Sequence, residues 1–134
     1  MSEQLSPDYK EIRLIDRRDD FAAVVEALAR FVARLHRKGI WMKDLSPGNV
    51  MVRRITGKDG AADTYSFALV DINRMKFGVG DLRTLARSCG TLLDSEKALI
   101  LFAGLYAAAL GVDGAWAEEI ILGRYRRINH ISDR

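Results

Sequence analysis

Apolar side chains at 3–4 residue spacing first become regular at Phe21 and continue through Val24, Val25, Leu28, Val32 and Leu35. That period places them on one face of a helix. Asp19 or Asp20 stands where an N-cap belongs, Arg34, Arg37 and Lys38 suit the negative end of the helix dipole, and Gly39 supplies the left-handed stop. Residues 1–18, with Pro7 and a run of mixed charge, predict an irregular lead-in.

The pattern then changes. After a short loop, Asn49-Val-Met-Val52 and Tyr65-Ser-Phe-Ala-Leu-Val70 are compact β-forming stretches. Gly57-Lys-Asp-Gly60 between them is a turn signal, so the pair predicts one hairpin with a longish connection. A glycine-bearing loop, Phe77-Gly-Val-Gly80, leads to a second helix capped by Asp81 and ending near Gly90. Asp94 or Ser95 caps a third helix that reaches about Leu110 and stops at Gly111. Asp113 starts a fourth, through Trp116 and Ile120 to a basic end at Arg124-Tyr-Arg-Arg127. The fold class is therefore mainly α with a small β-hairpin (α+β), in a single domain over residues 1–134.

Composition narrows the class only a little. A chain of 134 residues with 49% hydrophobic and 29% charged residues is ordinary for a soluble globular domain, and buries roughly two thirds of its unfolded surface. The uncharged run over residues 98–112 is shorter than the roughly 20 residues a bilayer requires, so it reads as a core helix. The first ten residues lack the apolar segment of a signal peptide, and the compartment implied is the cytoplasm. A net charge of +3 permits anionic partners without requiring them. The single cysteine, Cys89, excludes an internal disulfide and reads as a buried inert thiol. Arg53, Arg54, Arg124, Arg126 and Arg127 read as solvated faces, with contact to a phosphorylated lipid or glycan as the alternative. Nucleic acid is not implied, because 18 acids offset the basic residues and Trp41, Tyr65 and Phe67 sit in core-like settings.

Chemistry concentrates in two places. Asp44-Leu-Ser-Pro-Gly-Asn49 sets a carboxylate five residues before an amide, and Val70-Asp71-Ile-Asn-Arg74 sets a second carboxylate at the end of an apolar strand. Phosphoryl transfer asks a protein mainly for positioning and for cations that neutralise phosphate oxygens. Magnesium, the usual cation, prefers hard oxygen ligands. A bend at Pro47-Gly48 lets Asp44 and Asn49 point the same way, and the hairpin brings Asp71 toward the strand that follows Asn49.

These residues resemble a known superfamily. Leu35-His36-Arg-Lys-Gly-Ile40 looks like the end of the helix before a protein-kinase catalytic loop, and Met42-Lys43-Asp44-Leu-Ser-Pro-Gly-Asn49 is similar to the His-Arg-Asp-Leu-x-x-x-x-Asn loop itself. Asp71-Ile-Asn-Arg74 stands where Asp-Phe-Gly belongs. In this form the motifs look closest to the bacterial lipopolysaccharide (Kdo/heptose) kinases, and Asp81-Leu-Arg-Thr-Leu-Ala fits that family's next helix. The resemblance covers roughly residues 20–90 and implies the large, C-terminal lobe of a protein-kinase-like enzyme.

What the resemblance implies is specific. Asp44 would accept the proton of the substrate hydroxyl. Asn49 and Asp71 would hold Mg²⁺ and with it ATP. Lys43 occupies the usual arginine position and would contact acidic groups, while Asp81 and His36 would support the loop structurally. Ser46 stands where protein kinases often carry lysine, which suggests a lipid-linked or small sugar as acceptor. Partners would be that sugar and, through the exposed lobe face, a second copy of the chain, with at most peripheral contact to the inner membrane.

Three departures bear on activity. Met42 replaces the histidine that packs under the metal-binding aspartate, and Asn73 replaces a glycine. Gly78-Val-Gly80-Asp-Leu-Arg83 breaks the glycine-rich pattern at its last position, and no Val-Ala-x-Lys segment occurs in the chain. Ser2-Glu-Gln-Leu5 resembles the hinge after a kinase small lobe, so residues 1–18 read as a hinge-like lead-in and the small lobe is absent. The expectation is a phosphotransferase lobe inactive by itself; the alternative is a non-catalytic pseudokinase or degenerate binding module.

Overall fold

The computed structural model describes residues 8–43, 45–70, 75–78 and 81–130. Helices hold 54% of the chain and strands 17%, in two small antiparallel sheets. The elements are β1 (Lys10–Glu11), α1 (Phe21–Arg37), β2 (Ile40–Met42), β3 (Val50–Ile55), β4 (Thr64–Leu69), β5 (Met75–Phe77), α2 (Leu82–Ser88), α3 (Glu96–Leu110) and α4 (Gly114–Ile128).

The helices form as their spacing predicts. On α1, Val24, Val25, Leu28, Ala29, Val32, Ala33 and His36 are buried, and this face packs on α3. The other side of α3 packs on α4, which makes α3 the central helix and accounts for its lack of charge after Lys97. Side-chain caps hold three starts: Asp81 accepts from the Thr84 N–H, Ser95 from Ala98 and Asp113 from Trp116. Asp94 does a different job, accepting the Leu14 N–H on both carboxylate oxygens at 3.0 and 3.2 Å. Asp20 holds the N-cap position of α1 without capping it. Its carboxylate instead accepts two hydrogen bonds from Arg18, at 2.6 and 2.9 Å, and one from the Tyr65 hydroxyl at 3.0 Å.

Two expectations need correction. The lead-in is not irregular throughout: β1 pairs with β3 (Lys10 opposite Val52), the Ile12 N–H bonds to the Val50 carbonyl, and Ile12 and Ile15 enter the core. Polar Lys10 and Glu11 form a strand because β3 offers an open edge, which no local pattern reveals. The hinge-like segment over residues 2–5 lies outside the described residues. The second correction concerns the ribbon. The β3–β4 hairpin is part of a three-stranded sheet ordered β1-β3-β4, and β2 and β5 form a separate two-stranded ladder. Those two strands are three residues each and pair across a gap of more than 30 positions, with Met42 opposite Met75.

Gly39 links α1 to that ladder. Its φ is +77°, a conformation that costs an L-residue roughly 1–2 kcal/mol. Its carbonyl also accepts the Gly78 N–H at 2.9 Å, and a Cβ at Gly39 would lie 2.9 Å from the Gly78 oxygen. Gly60, in the hairpin loop, has φ +83° but nothing within 4 Å of where its Cβ would be. Gly39→Ala is therefore predicted to destabilise the protein by more than the roughly 1–2 kcal/mol expected of Gly60→Ala. Urea unfolding of the two variants at constant m-value measures the difference, and equal losses would remove the β2–β5 contact from the explanation.

Candidate functional site

The segments that carry the motifs are the two connections between the same pair of ladders. Residues 43–49 run from β2 to β3, and residues 70–74 run from β4 to β5. At one end the Val70 N–H bonds to the Asn49 carbonyl at 2.9 Å, extending the β3–β4 ladder by one rung. At the other, Met42 faces Met75. Both connections are thus tied to each other at their two ends. Asp44 and Asp71 themselves lie outside the described residues, as do Asn73 and Gly80, so the described geometry is that of their frame.

The frame around Asp44 is firm on both sides. Met42 is 2% exposed and Leu45 3%, so the chain enters and leaves this position through apolar anchors. Met42, at the histidine position of the resembling motif, is a core residue facing Met75, and support there is apolar. The Leu45 carbonyl accepts the Thr91 hydroxyl at 2.5 Å, which ties the loop to the turn after α2. Lys43 is exposed and lines a recess of about 120 Å³ with Trp41, Thr84, Arg87, Ser88 and Arg124.

Pro47–Asn49 form one 3₁₀ turn, and the Asn49 N–H returns to the Ser46 carbonyl at 2.9 Å. The Ser46 hydroxyl donates to Asn49 Oδ1 at 2.7 Å. That bond fixes the amide rotamer and orients its oxygen, while the second lone pair of Oδ1 stays available. Asn49 is half-buried and offers the hard oxygen donor that magnesium favours. Serine at position 46 consequently positions a candidate ligand. Among the described residues no three His, Cys, Asp or Glu side chains cluster as a metal site.

His36 and Asp81 stand apart from this loop in their contacts. His36 is 5% exposed and shares a 2.7 Å hydrogen bond with the hydroxyl of Tyr106, whose ring stacks on that of Phe102 one turn earlier in α3. Burial lowers the imidazole pKa to about 4. The same apolar surroundings push the Cys89 thiol up to about 12, so this cysteine is inert as the sequence suggests, and hold the Tyr106 hydroxyl well above the usual phenol range. Asp81 is exposed and spends its carboxylate on the Thr84 N–H at 2.8 Å; that backbone bond holds its pKa below the usual carboxylate range.

Of the basic residues read as solvated faces, Arg54 and Arg127 are exposed, Arg53 and Arg126 half-buried and Arg124 buried. Arg54 pairs with Asp63 at 2.6 Å and approaches Asp20 at 3.4 Å, and Arg53 lies over the Tyr9 ring at 5.2 Å. Arg126 pairs with Glu96 at 2.6 Å. Arg124 is the clear exception: it is only 9% exposed, and its stem crosses Gly90 so closely that a Cβ there would meet the Arg124 Cβ at 2.7 Å and Cγ at 2.9 Å. The role of Thr91 and the burial of Arg124 could not be found from sequence, since both depend on residues in other elements.

No protein-family model, curated protein or solved structure matches this chain. No helix among the described residues is long and apolar enough to cross a membrane.

The His36 environment has a pH consequence. Its folded pKa lies below its unfolded value, so the unfolded chain takes up a proton that the folded chain refuses between pH 6.5 and about 4. Stability therefore rises with pH through that window, by about 3 kcal/mol in all, and acid favours unfolding. Asp20 and Asp81, whose pKa values are lowered from 3.8, contribute below this window. NMR titration should show the His36 ring neutral down to about pH 4, with the urea midpoint falling over the same range. A ring that titrates near 6.5 in the folded state would overturn this.

Proposed function

We propose that this chain is the catalytic-loop lobe of a magnesium- and ATP-dependent phosphotransferase similar to protein-kinase-like sugar kinases, with a hydroxyl of a lipid-linked or small sugar as acceptor. The observation that carries the reading is the double bridge: the Asp44–Asn49 motif and the Asp71 motif occupy the two links between one pair of antiparallel ladders. A phosphotransferase of this kind needs its proton acceptor and its metal ligands from sequence-distant loops to share one small volume. Parallel bridges between common ladders are a direct way to achieve that.

In this reading Asp44 accepts the acceptor's hydroxyl proton, and Asn49 and Asp71 hold Mg²⁺, which would neutralise charge on the phosphate oxygens. Ser46 holds the Asn49 oxygen in place, and Thr91 steadies the backbone one residue after Asp44. Lys43, solvent-facing beside Arg87, draws anionic groups toward the loop. His36 and Asp81 are positioning residues, the first by locking α1 to α3 ahead of the loop and the second by starting α2 behind it.

These 134 residues contain no glycine-rich hairpin and no Val-Ala-x-Lys segment to cover a triphosphate. That favours a second reading for the chain acting alone, a metal-binding module without turnover. Its surface includes the exposed apolar side chains Phe77 and Leu82, which would suit contact with a second copy of the chain.

Two measurements test the proposal. Magnesium should raise the melting temperature of the wild-type chain but not of Asp71→Ala, and a shift absent from the wild type or unchanged in the variant would leave only a helical scaffold. The isolated chain should show negligible phosphorylation of sugar acceptors from ATP. Robust ATP-dependent transfer that Asp44→Asn abolishes would establish the chemistry and overturn the claim that this chain alone is inactive.

A further inference from the structure

The groove between α2 and α4 lies outside the two bridging loops, and arginines supply most of the charge that lines it. It encloses about 390 Å³, a volume suited to a small ligand, and five arginines line it against two glutamates, Glu118 and Glu119. Arg83 and Arg87 come from α2, and Arg124, Arg126 and Arg127 come from α4. Arg126 is engaged by Glu96, and Arg127 serves the negative end of α4. Neither account covers α2. Arg83 and Arg87 are four residues apart on one helix face, where like charges destabilise, and among the described residues no carboxylate is within ion-pair distance of Arg87 or Arg127.

Arg124 and Arg87 line both this groove and the recess at Lys43, so the two spaces share a wall. Gly90 helps to build that wall: only a residue without a side chain lets the Arg124 stem lie across the turn after α2, which sets a nearly buried guanidinium between groove and recess. Guanidinium groups bind phosphate oxygens bidentately, and several converging on one space gain most from an anion of charge two or more.

We infer that the α2–α4 groove, with the adjoining recess at Lys43, is a binding site for a phosphate monoester or diphosphate group. Its role as an anchor for the phosphorylated part of the sugar acceptor rests on the phosphotransferase reading; the anion site itself does not. Glu118 and Glu119, which also line the groove, oppose diffuse adsorption of anions and favour a compact one seated among Arg83, Arg87 and Arg127.

The site can be tested with pyrophosphate in magnesium-free buffer, following arginine side-chain resonances by NMR and affinity by calorimetry. Pyrophosphate should shift the Arg87 and Arg127 signals, and Arg87→Gln/Arg127→Gln should weaken binding roughly tenfold or more. Arg30→Gln/Arg34→Gln, which removes two exposed charges from α1, should leave affinity within about twofold, and Asp71→Ala should bind as the wild type does. All four positions in the two double variants are exposed, so folding is retained and checked by melting. Flotation with phosphatidylcholine vesicles, with and without phosphatidic acid, separates the sources: vesicle binding lost in the groove variant assigns a lipid phosphate, and pyrophosphate binding without it assigns a soluble one. Absence of both, equal weakening by the two double variants, or loss of pyrophosphate binding in Asp71→Ala would overturn the site.

Discussion

A hydrogen bond from the Val70 N–H to the Asn49 carbonyl and the opposition of Met42 to Met75 hold together two stretches of chain separated by more than twenty positions. Neither contact is strong in itself, since a backbone hydrogen bond contributes about 1 kcal/mol net. Their effect comes from being at opposite ends of the same two connections. A loop fixed at one end still explores a wide volume, whereas two loops fixed to one another at both ends share their fluctuations. The remaining architecture serves this arrangement: α1 on α3 supplies the apolar floor, Gly39 turns the chain from that floor into β2, and Thr91 reaches from behind α2 to Leu45.

Burial is distributed to the same end. Two of the polar groups that enter the interior are matched across elements: His36 with Tyr106, and Asp20 with Arg18 and Tyr65. Each match joins elements distant in sequence. His36 couples α1 to α3, and Asp20 couples the start of α1 to the β3–β4 hairpin. An unmatched buried carboxylate or imidazole would cost several times what its hydrogen bond returns, so these pairs select one packing of helix against sheet more than they add net stability.

Local sequence determined what local physics governs. Helical spacing from Phe21 to Leu35, the caps at Asp81, Ser95 and Asp113, and the stops at Gly39 and Gly111 were all legible because propensity and capping act within a turn or two. The β3–β4 hairpin was legible for the same reason. The strands β1, β2 and β5 were not, since two- and three-residue strands have no period to read and exist only through partners. The candidate site divides likewise. The Asp44–Asn49 spacing could be read directly, but the Ser46 bond to Asn49, the Thr91 bond to Leu45 and the burial of Arg124 depend on tertiary neighbours. Asp20 illustrates the limit within a single residue: its N-cap position was predictable, and its diversion to Arg18 and Tyr65 was not.

On the proposed reading, the division between metal-holding loops and arginine groove has a physical logic. Magnesium sites of the proposed kind are built from carboxylates and amide oxygens, which repel an acceptor that carries phosphate. Guanidinium groups placed among those ligands would compete with the cation for the same oxygens. Separating the two sets, with oxygen donors on the bridging loops and arginines on α2 and α4, lets each charge act on its own target. Lys43 stands at the border, beside Asp44 in sequence and beside Arg87 in space. A single exposed ammonium there costs little to solvate and spans the change of sign, and the Arg124 stem lying across Gly90 keeps the nearest buried positive charge fixed relative to it. The placement of α2 against α4 therefore sets the charge of the groove between them as much as the packing.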